Sequence, residues 1–361
     1  MAWATPQFSK SHVNKCGNVM KSTSPNELFF PADWDHCLEV INNWRAIHSY
    51  PLQIVKMTLL KRAHAVSRAS KSKALVAQRL KRMESIWGKL RNEPTMQLST
   101  MQDIGGCRAI VRSMLEVRRI ERLYERSIGR NPTRGPIFSE RSDYIRNPKT
   151  TGYRSLHYVF KYRGDVPDHE CYHNLRIEIQ IRSQLQHAWA TAVETVSVLT
   201  HQALKSNFGS DEWKRFFALM GSVLARRERT ATVPGTPTNR RELFDELQHY
   251  AAKLKVRDVL SGYGFAVFDM IGQDTEAKDA EAFIVVLDPV LKEVEVRPYS
   301  ADDLIQAEHD YLEVERNLNK DNGQQAVLVS AESITSLMRA YPNYFLDTGA
   351  FLEALDSALT K

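Results

Sequence analysis

The sequence contains no long apolar run. No stretch approaches the ~18–20 consecutive apolar residues that a membrane-spanning helix needs. Residues 1–25 are polar and basic, and they contain no apolar segment of the kind that directs export. We therefore expect a cytoplasmic protein that contacts no membrane.

Cysteine is scarce and scattered. The four cysteines are Cys16, Cys37, Cys107 and Cys171, and no two of them have the C-x-x-C spacing typical of zinc sites. We expect reduced thiols rather than zinc ligands. The sequence also lacks internal repeats, and its 43% hydrophobic and 25% charged residues are ordinary for a globular protein. At 361 residues the chain is long enough for two domains.

Positive charge is concentrated in the first two thirds of the chain. Residues 1–239 carry 37 Lys and Arg against 20 Asp and Glu, a net charge of +17. Residues 240–361 carry 12 against 23, a net charge of −11. A basic half suits a polyanionic substrate such as ATP or RNA. Attraction between two oppositely charged domains explains the split equally well.

Patterns of apolar residues predict an α+β protein with a mixed sheet flanked by helices. The predicted helices of the first part are 34–47, 52–66, 73–90, 114–127, 184–204 and 211–228, and its strands are 106–111, 156–162 and 175–182. Residues 129–151, rich in Pro, Gly and Arg, are predicted to form a loop. The later helices are 241–260, 301–318, 332–340 and 348–359, and the later strands are 282–287, 293–297 and 325–330.

The clearest boundary is the segment 230–239, which reads TATVPGTPTN. Its two prolines, one glycine and four threonines are typical of a linker. We therefore predict a first domain over residues 1–229 and a smaller α/β domain over residues 240–361.

Three motifs follow one another in the first domain. They are Asp103-Ile-Gly-Gly-Cys-Arg108, Asp143-Tyr-Ile-Arg-Asn-Pro-Lys-Thr-Thr-Gly-Tyr-Arg-Ser-Leu-His157 and Glu178-Ile-Gln-Ile-Arg-Ser183. Asp103 stands just before a predicted strand and Glu178 lies within another, so the two carboxylates converge on one metal ion if the strands are neighbours. Taken singly, Asp103 is equally typical of a turn, and Glu178 of an exposed strand position.

These motifs resemble the synthetase domain of the RelA/SpoT family, which transfers pyrophosphate from ATP to a ribose 3′-hydroxyl. The resemblance implies a pyrophosphokinase with a RelA/SpoT-type mixed sheet, using ATP as the donor and Mg2+. It also implies that Asp103 binds magnesium, and that Glu178 binds it or removes the proton of the acceptor hydroxyl.

The same resemblance assigns residues to ATP. Arg68 and Arg108 would sandwich the adenine, because a guanidinium stacks well on a π face. Lys71, Arg79 and Lys149 would contact the phosphates, although Lys71 falls one residue later than usual after Arg68. The alternative role for Arg108 is a structural salt bridge.

On the acceptor side, the family uses a tyrosine at the position of Tyr153 to stack the acceptor base, a contact worth ~1–3 kcal/mol. Its place after Gly152 in a loop suits an exposed ring. Ser155 and His157 would help to hold the acceptor or its phosphates, although a lone histidine in a strand is often structural. One departure is Thr151, where alarmone synthetases usually have an Asn that reads guanine. This departure puts free GTP or GDP in doubt as the acceptor.

Other family features have no counterpart in residues 1–361. The hydrolase half and the regulatory domains of the long family members are missing. The dipeptide His309-Asp310 lies in a predicted acidic helix without partners at metal-ligand spacing, so we interpret it as a coincidence. His187 and Glu194 are predicted to support the site or to pack beside it.

The segment Tyr341–Tyr344 places two tyrosines around Pro-Asn, which favours a turn. By residue chemistry alone, Tyr341 and Phe345 also suit an ordinary helix-end core. A synthetase domain joined to a small domain with Tyr-x-x-Tyr resembles the CapRel group, fused toxin–antitoxin proteins of phage defence whose C-terminal domain is like a zinc finger without metal ligands. The resemblance implies that Tyr341 and Tyr344 block the adenine slot between the two predicted adenine arginines.

The CapRel resemblance also implies partners. The substrate would be tRNA, pyrophosphorylated on the ribose hydroxyl of its 3′-terminal adenosine, which stops translation. A phage structural (capsid) protein that binds the C-terminal domain would release the enzyme, which is compatible with a monomer. Two alternatives stay open: a small alarmone synthetase that makes (p)ppGpp or (p)ppApp from free nucleotides, and a non-enzymatic sensor of a phage protein.

Overall fold

The computed structural model describes residues 3–23, 31–128, 136–164, 167–199, 211–261, 280–291, 293–318, 323–331, 333–345 and 348–360. The helices are α1 (Lys10–Ser22), α2 (Trp34–Ala46), α3 (Ser49–Ala69), α4 (Met83–Asn92), α5 (Met114–Ile128), α6 (Gln184–Leu199), α7 (Asp211–Glu228), α8 (Arg240–Lys253), α9 (Val256–Ser261), α10 (Leu304–Asn317), α11 (Ile334–Ala340) and α12 (Gly349–Leu359). The strands are β1 (Leu75–Leu80), β2 (Gly105–Val111), β3 (Ile137–Asp143), β4 (Leu156–Lys161), β5 (Arg176–Ser183), β6 (Ala282–Asp288), β7 (Glu293–Tyr299) and β8 (Gln325–Ser330).

One mixed sheet contains strands from both predicted domains. Its order is β3-β4-β5-β2-β1-β8-β6-β7. The β2–β5 pair is parallel, and the other pairs are antiparallel. The predicted α+β class, with a mixed sheet flanked by helices, is confirmed.

The two halves of the sheet meet where β8 pairs with β1. Gln78 is opposite Ser330 and Arg79 is opposite Val329. A second junction is helical, because α8, α9 and α12 pack on α6 and α7 in one apolar cluster. The segment 230–239 between them runs back along α7, where the Val233 amide donates to Ser222 Oγ at 2.8 Å. The position of the domain boundary stays a prediction.

Period-two alternation gives the central strands two different faces. One face packs on α3 and α5 and contributes apolar residues to a shared core. Its members include Val76, Cys107, Ala109, Val111, Leu156, Tyr158, Phe160, Ile177, Ile179 and Ile181. The other face contains the polar residues of the sequence motifs. Among the described residues, no helix is long and apolar enough to cross a membrane.

The predicted helix 73–90 is wrong in its first half. Residues 75–80 form β1, and α4 begins only at Met83. The residues Met83, Ile86, Trp87 and Leu90 do keep helical spacing on the buried side of α4. A strand forms before them because β1 has partners on both sides, β2 and β8, and these hydrogen bonds outweigh local periodicity.

Three other differences have local causes. The predicted loop 129–151 contains β3, an edge strand whose first four residues are exposed, so it has no alternating apolar pattern. Helix α1 was missed because its sequence is polar overall, although it buries Val13 and Met20. The predicted helix 241–260 breaks at Lys255, whose φ is 47°. The end of the predicted helix 184–204 lies outside the described residues beyond Leu199.

Candidate active site

The sheet register brings the motif residues to one face. Gly106 in β2 is opposite both Arg79 in β1 and Glu178 in β5. Arg108 is opposite Gln180, and Gln180 is also opposite His157 in β4. Because side chains alternate along strands, Arg79, Arg108, His157 and Glu178 share the face turned away from α3.

Asp103 lies two residues before β2 and pairs with two lysines. Lys81 Nζ is 2.7 Å from Oδ2, and Lys89 Nζ is 3.0 Å from Oδ1. Burial alone would raise the pKa of Asp103, but the two ammonium groups outweigh it and hold that pKa well below its usual value. Asp103 is therefore an anion inside a cationic cluster.

Each carboxylate oxygen of Glu178 lies within hydrogen-bond distance of a neighbouring side chain. His157 Nδ1 lies 2.8 Å from Oε1, and Gln180 Nε2 donates to Oε2 at 2.7 Å. Burial would raise the pKa of Glu178, but His157 lowers it below the usual value. In turn, burial would lower the pKa of His157, but the neighbouring Tyr153 and Glu178 raise it to about 9. The pair therefore behaves as a carboxylate beside an imidazolium.

Asp103 and Glu178 are the two carboxylates predicted to hold magnesium, and their role as ligands stays a prediction. The charge of Asp103 acts to raise the pKa of Glu178, against the larger lowering effect of His157. Carboxylate oxygens are ligands that Mg2+ prefers. Each of their oxygens contacts a donor of the chain itself: Lys81, Lys89, His157 or Gln180. The carboxylate oxygens are thus of a kind that would suit Mg2+, and Lys81 and Lys89 balance the negative charge of Asp103.

The predicted ATP residues divide into two groups. Arg79 and Arg108 extend from neighbouring strands, and burial together with the charge of Arg182 lowers the pKa of Arg108 to about 9. Arg68 and Lys71 are exposed at the end of α3. Arg79 and Arg108 therefore lie together on this face, whereas Arg68 and Lys71 lie at the protein surface.

The acceptor-side residues cluster around Tyr153. Its ring is half-buried rather than exposed as predicted, and its hydroxyl lies 2.7 Å from His157 Nε2. Lys149, predicted to meet phosphates, places Nζ 5.7 Å from the centre of the Tyr153 ring and 4.7 Å from that of Tyr144. Ser155 is fully buried and its hydroxyl is 3.4 Å from the Ile181 carbonyl, so in this conformation it supports the strand.

Gly152 fixes the turn before Tyr153. Its φ is 97°, a region that favours glycine. A Cβ there would lie 2.6 Å from the Phe217 carbonyl oxygen and 2.9 Å from the Trp189 ring. The loop therefore packs directly on α6 and α7, and this contact sets the position of Tyr153.

The C-terminal tyrosines lie on the same face of the sheet. Tyr341 and Tyr344 are 3% and 1% exposed and pack in an apolar cluster with β6 and β8. The guanidinium of Arg108 is 5.7 Å from the centre of the Tyr341 ring, and that of Arg82 is 5.9 Å from the Tyr344 ring. Tyr341 therefore contacts Arg108, and Tyr344 contacts Arg82, whereas Arg68 is exposed elsewhere. The predicted blocking of an adenine slot between Arg68 and Arg108 stays a prediction.

Several residues of this site were not predicted from the sequence. Lys81 and Lys89 contact Asp103, and Gln180 and Arg182 alternate with Glu178 along β5. The period of two in Glu-x-Gln-x-Arg was the available signal, because it places all three on one face. The lysines gave no such signal while residues 73–90 were interpreted as one helix. Among the described residues, His309, Asp310 and Glu313 on α10 each bring one ligand atom within 4.8 Å of the others, so the prediction that His309-Asp310 lacks a partner at metal-ligand spacing is wrong for Glu313.

Residues 78–198 match the family described as a region found in RelA / SpoT proteins. An uncharacterized protein of Mycobacterium tuberculosis is 31% identical over 129 residues, which cover 36% of this chain and 41% of that protein. GTP pyrophosphokinase YjbM of Bacillus subtilis is 32% identical over 119 residues, covering 32% of this chain and 52% of the enzyme. The chain thus matches about half or less of the length of these relatives.

Among solved structures, the small alarmone synthetase 1 from Bacillus subtilis bound to its product pppGpp shares 20% identity. The likeness covers 53% of this chain and 94% of that chain, with a TM-score of 0.41. The residues matched by that family include the polar face from Arg79 to Arg182. The likeness to the CapRel group stays a prediction.

Proposed function

We propose that this chain is a pyrophosphokinase that transfers pyrophosphate from ATP to a ribose hydroxyl and is held inactive by its own C-terminal part. The observation that carries the proposal is the contact of Tyr341 with Arg108 on the face that bears Asp103 and Glu178. The pyrophosphokinase part rests on the match to the RelA/SpoT region and on a relative named GTP pyrophosphokinase.

The side chains of the polar face support this proposal. Asp103 and Glu178 would hold Mg2+, which neutralises charge that develops on the transferred phosphates. Lys81 and Lys89 lie within 3.0 Å of Asp103, so with Mg2+ bound they would be placed to contact the phosphate oxygens of ATP. Glu178, oriented by His157 and Gln180, is also placed to accept the proton of the acceptor hydroxyl.

Inhibition follows from competition for one surface. An adenine that stacks on Arg108 needs the position that the Tyr341 ring occupies. The ring is tethered, so its effective concentration is on the order of millimolar and weak contacts are enough to exclude ATP. The hydroxyl of Tyr344 is buried without a hydrogen-bond partner among the described residues. A segment with such an unsatisfied group is easier to displace than a fully bonded core.

We propose tRNA as the acceptor, modified at its 3′-terminal adenosine, so that the released enzyme stops translation. Thr151, in place of the Asn that reads guanine in alarmone synthetases, argues against guanine nucleotides as the acceptor. The net charge of +17 on residues 1–239 is compatible with RNA. Release would come from a foreign structural protein, such as a phage capsid protein, that binds the C-terminal part. The second candidate is alarmone synthesis from free nucleotides, which the GTP pyrophosphokinase relative favours.

The test uses the full chain with Tyr341→Ala, supplied with γ-³²P-labelled ATP and Mg2+. One reaction contains bulk tRNA and another contains GDP with GTP. Phe345→Ala is the matched control, because Phe345 is buried in the same cluster but lies outside the contact with Arg108. We expect label on tRNA with Tyr341→Ala and little with the wild type or the control.

Other outcomes assign the function differently. Label on the guanine nucleotides would establish alarmone synthesis instead. Equal activity of the wild type and Tyr341→Ala would refute the inhibitory role of the ring. Activity that persists after Asp103→Asn would contradict the assignment of the carboxylate site.

A further inference from the structure

Arg182 lies at the centre of the site, although none of the steps above uses it. Its side chain is buried, with 2% exposure. Nη2 donates to the Tyr153 hydroxyl at 2.7 Å and to Gln180 Oε1 at 2.8 Å, and Nε is 3.4 Å from Ser155 Oγ. The guanidinium also lies 5.2 Å from the centre of the Tyr153 ring. Arg182 therefore holds both the hydroxyl and the ring of Tyr153.

These bonds close a ring of side chains. Gln180 Nε2 donates to Glu178 Oε2 at 2.7 Å. On the other side, His157 lies 2.8 Å from Glu178 Oε1 and 2.7 Å from the Tyr153 hydroxyl. Tyr153 is thus connected to one oxygen of Glu178 through His157, and to the other through Arg182 and Gln180. A displacement of Tyr153 is therefore transmitted to both carboxylate oxygens.

In the part of the chain that the structure describes, the buried charge of Arg182 has no carboxylate partner in its hydrogen bonds. Among the described residues, its hydrogen-bond acceptors are hydroxyl and amide oxygens, and Nη1 is buried without a partner. Its charge adds to burial in lowering the pKa of the neighbouring Arg108. A buried cation with an unsatisfied donor is destabilising. Stability alone therefore does not explain Arg182.

We propose that Arg182 is a positioning residue that aligns the acceptor-stacking Tyr153 with the carboxylate of Glu178. The proposal rests on the pyrophosphate transfer proposed above, and the acceptor is a nucleotide whose base stacks on Tyr153. One planar guanidinium contacts Tyr153 and Gln180 together, which a lysine ammonium on a flexible stem does not reproduce. Loss of this contact therefore changes where the acceptor base lies and how Glu178 is oriented.

The test measures kcat and KM for Arg182→Lys in the full chain that carries Tyr341→Ala, with ATP varied in one series and the acceptor in another. The control is Arg176→Lys, at the other end of β5, where Nη1 donates to the Ser99 carbonyl at 3.3 Å. We expect Arg182→Lys to raise the acceptor KM and lower kcat by about tenfold each, with the KM for ATP unchanged. The control should match the parent.

A second set of variants separates positioning from folding. Tyr153→Phe keeps the ring and removes the hydroxyl that Arg182 contacts. After Tyr153→Phe, the substitution Arg182→Lys should cost only about twofold, because both changes break the same ring of bonds. Circular dichroism and thermal unfolding confirm that each variant is folded.

Three results would overturn the proposal. The first is that the effects of Arg182→Lys and Tyr153→Phe on the kinetics multiply, as for independent sites. The second is an Arg182→Lys variant with parental kinetics. The third is an equal change in the KM for ATP and in the KM for the acceptor. The acceptor series is run with tRNA and with GDP, so that either source of the nucleotide is covered. A parent inactive with every acceptor would instead refute the proposed reaction itself.

Discussion

Helix α10 is joined to the first part of the chain by a buried ion pair. Arg45 in α2 donates to Glu315 at 2.8 Å, and the two side chains are 3% and 11% exposed. Arg45 also donates to the Tyr311 hydroxyl at 3.2 Å and to the Lys81 carbonyl at 3.0 Å. Glu315 in turn accepts from the Met83 amide at 2.8 Å. One glutamate therefore holds α10 against α2 and α4.

Glu315→Gln should open this junction. Removing one member of a buried ion pair destabilises by ~3–5 kcal/mol, because the other charge stays buried and uncompensated. The glutamine oxygen still accepts a hydrogen bond, so we expect a loss of ~2–3 kcal/mol. Since 1.4 kcal/mol is tenfold, the open population should rise by about 30- to 140-fold. Water solvates the Arg45 guanidinium once the junction is open, so Glu315→Gln destabilises the closed state and not the open one.

Native-state hydrogen exchange measures this directly. The amides where β1 pairs with β8, near Gln78 and Ser330, report separation of the two parts. The control is Glu313→Gln, an exposed glutamate on the same helix. The protection of these amides against hydrogen exchange should fall by about 30- to 140-fold in Glu315→Gln. It should stay unchanged in Glu313→Gln. Identical exchange in the two variants would refute the reasoning, because the ion pair would then contribute nothing to closure.

Three further predictions concern the fold and the inhibitory contact. Gly152→Ala should lower the free energy of unfolding by more than ~1 kcal/mol in thermal unfolding. The reasons are the φ of 97° at Gly152 and the 2.6 Å distance from an added Cβ to the Phe217 carbonyl oxygen. The control is Gly88→Ala in an exposed helical position, where an added Cβ meets nothing within 4 Å, and it should not destabilise the protein. Tyr344→Phe should raise the melting temperature slightly without releasing activity, since it removes a buried hydroxyl that has no partner among the described residues; a lower melting temperature would contradict this. Burial would raise the pKa of Glu315, but Arg45 lowers it, so its stabilising contribution is present above the unfolded pKa near 4.5 and is lost as the pH falls further. Acid should therefore promote hydrogen exchange in the wild type, and this pH dependence should be weaker in Glu315→Gln.

The polar face was predictable where local rules apply. Asp103, Arg108, His157 and Glu178 were identified from their motifs, and strand alternation places three of them on one face. Lys81 was missed because it follows a strand that was interpreted as a helix. The strand forms through pairing with β2 and β8, and the latter lies far along the chain.

The burial of Tyr153 was also beyond sequence reasoning. A tyrosine after a glycine in a loop suits an exposed ring, yet Arg182 and His157 bind its hydroxyl, and Trp189 packs 6.3 Å from its ring. These contacts come from β4, β5 and α6. Local sequence does not state which of these elements will lie beside the loop.

The sequence by itself determined three things about this protein: the carboxylates, arginines and tyrosines of the candidate site, the α+β class and the opposite charges of its two parts. Only the tertiary structure decided how these groups are used. It paired Asp103 with Lys81 and Lys89, and it placed Tyr341 on Arg108. The physical reason is that β8 adds to the edge of β1, so contacts between distant segments depend on strand addition and burial, which local periodicity does not encode.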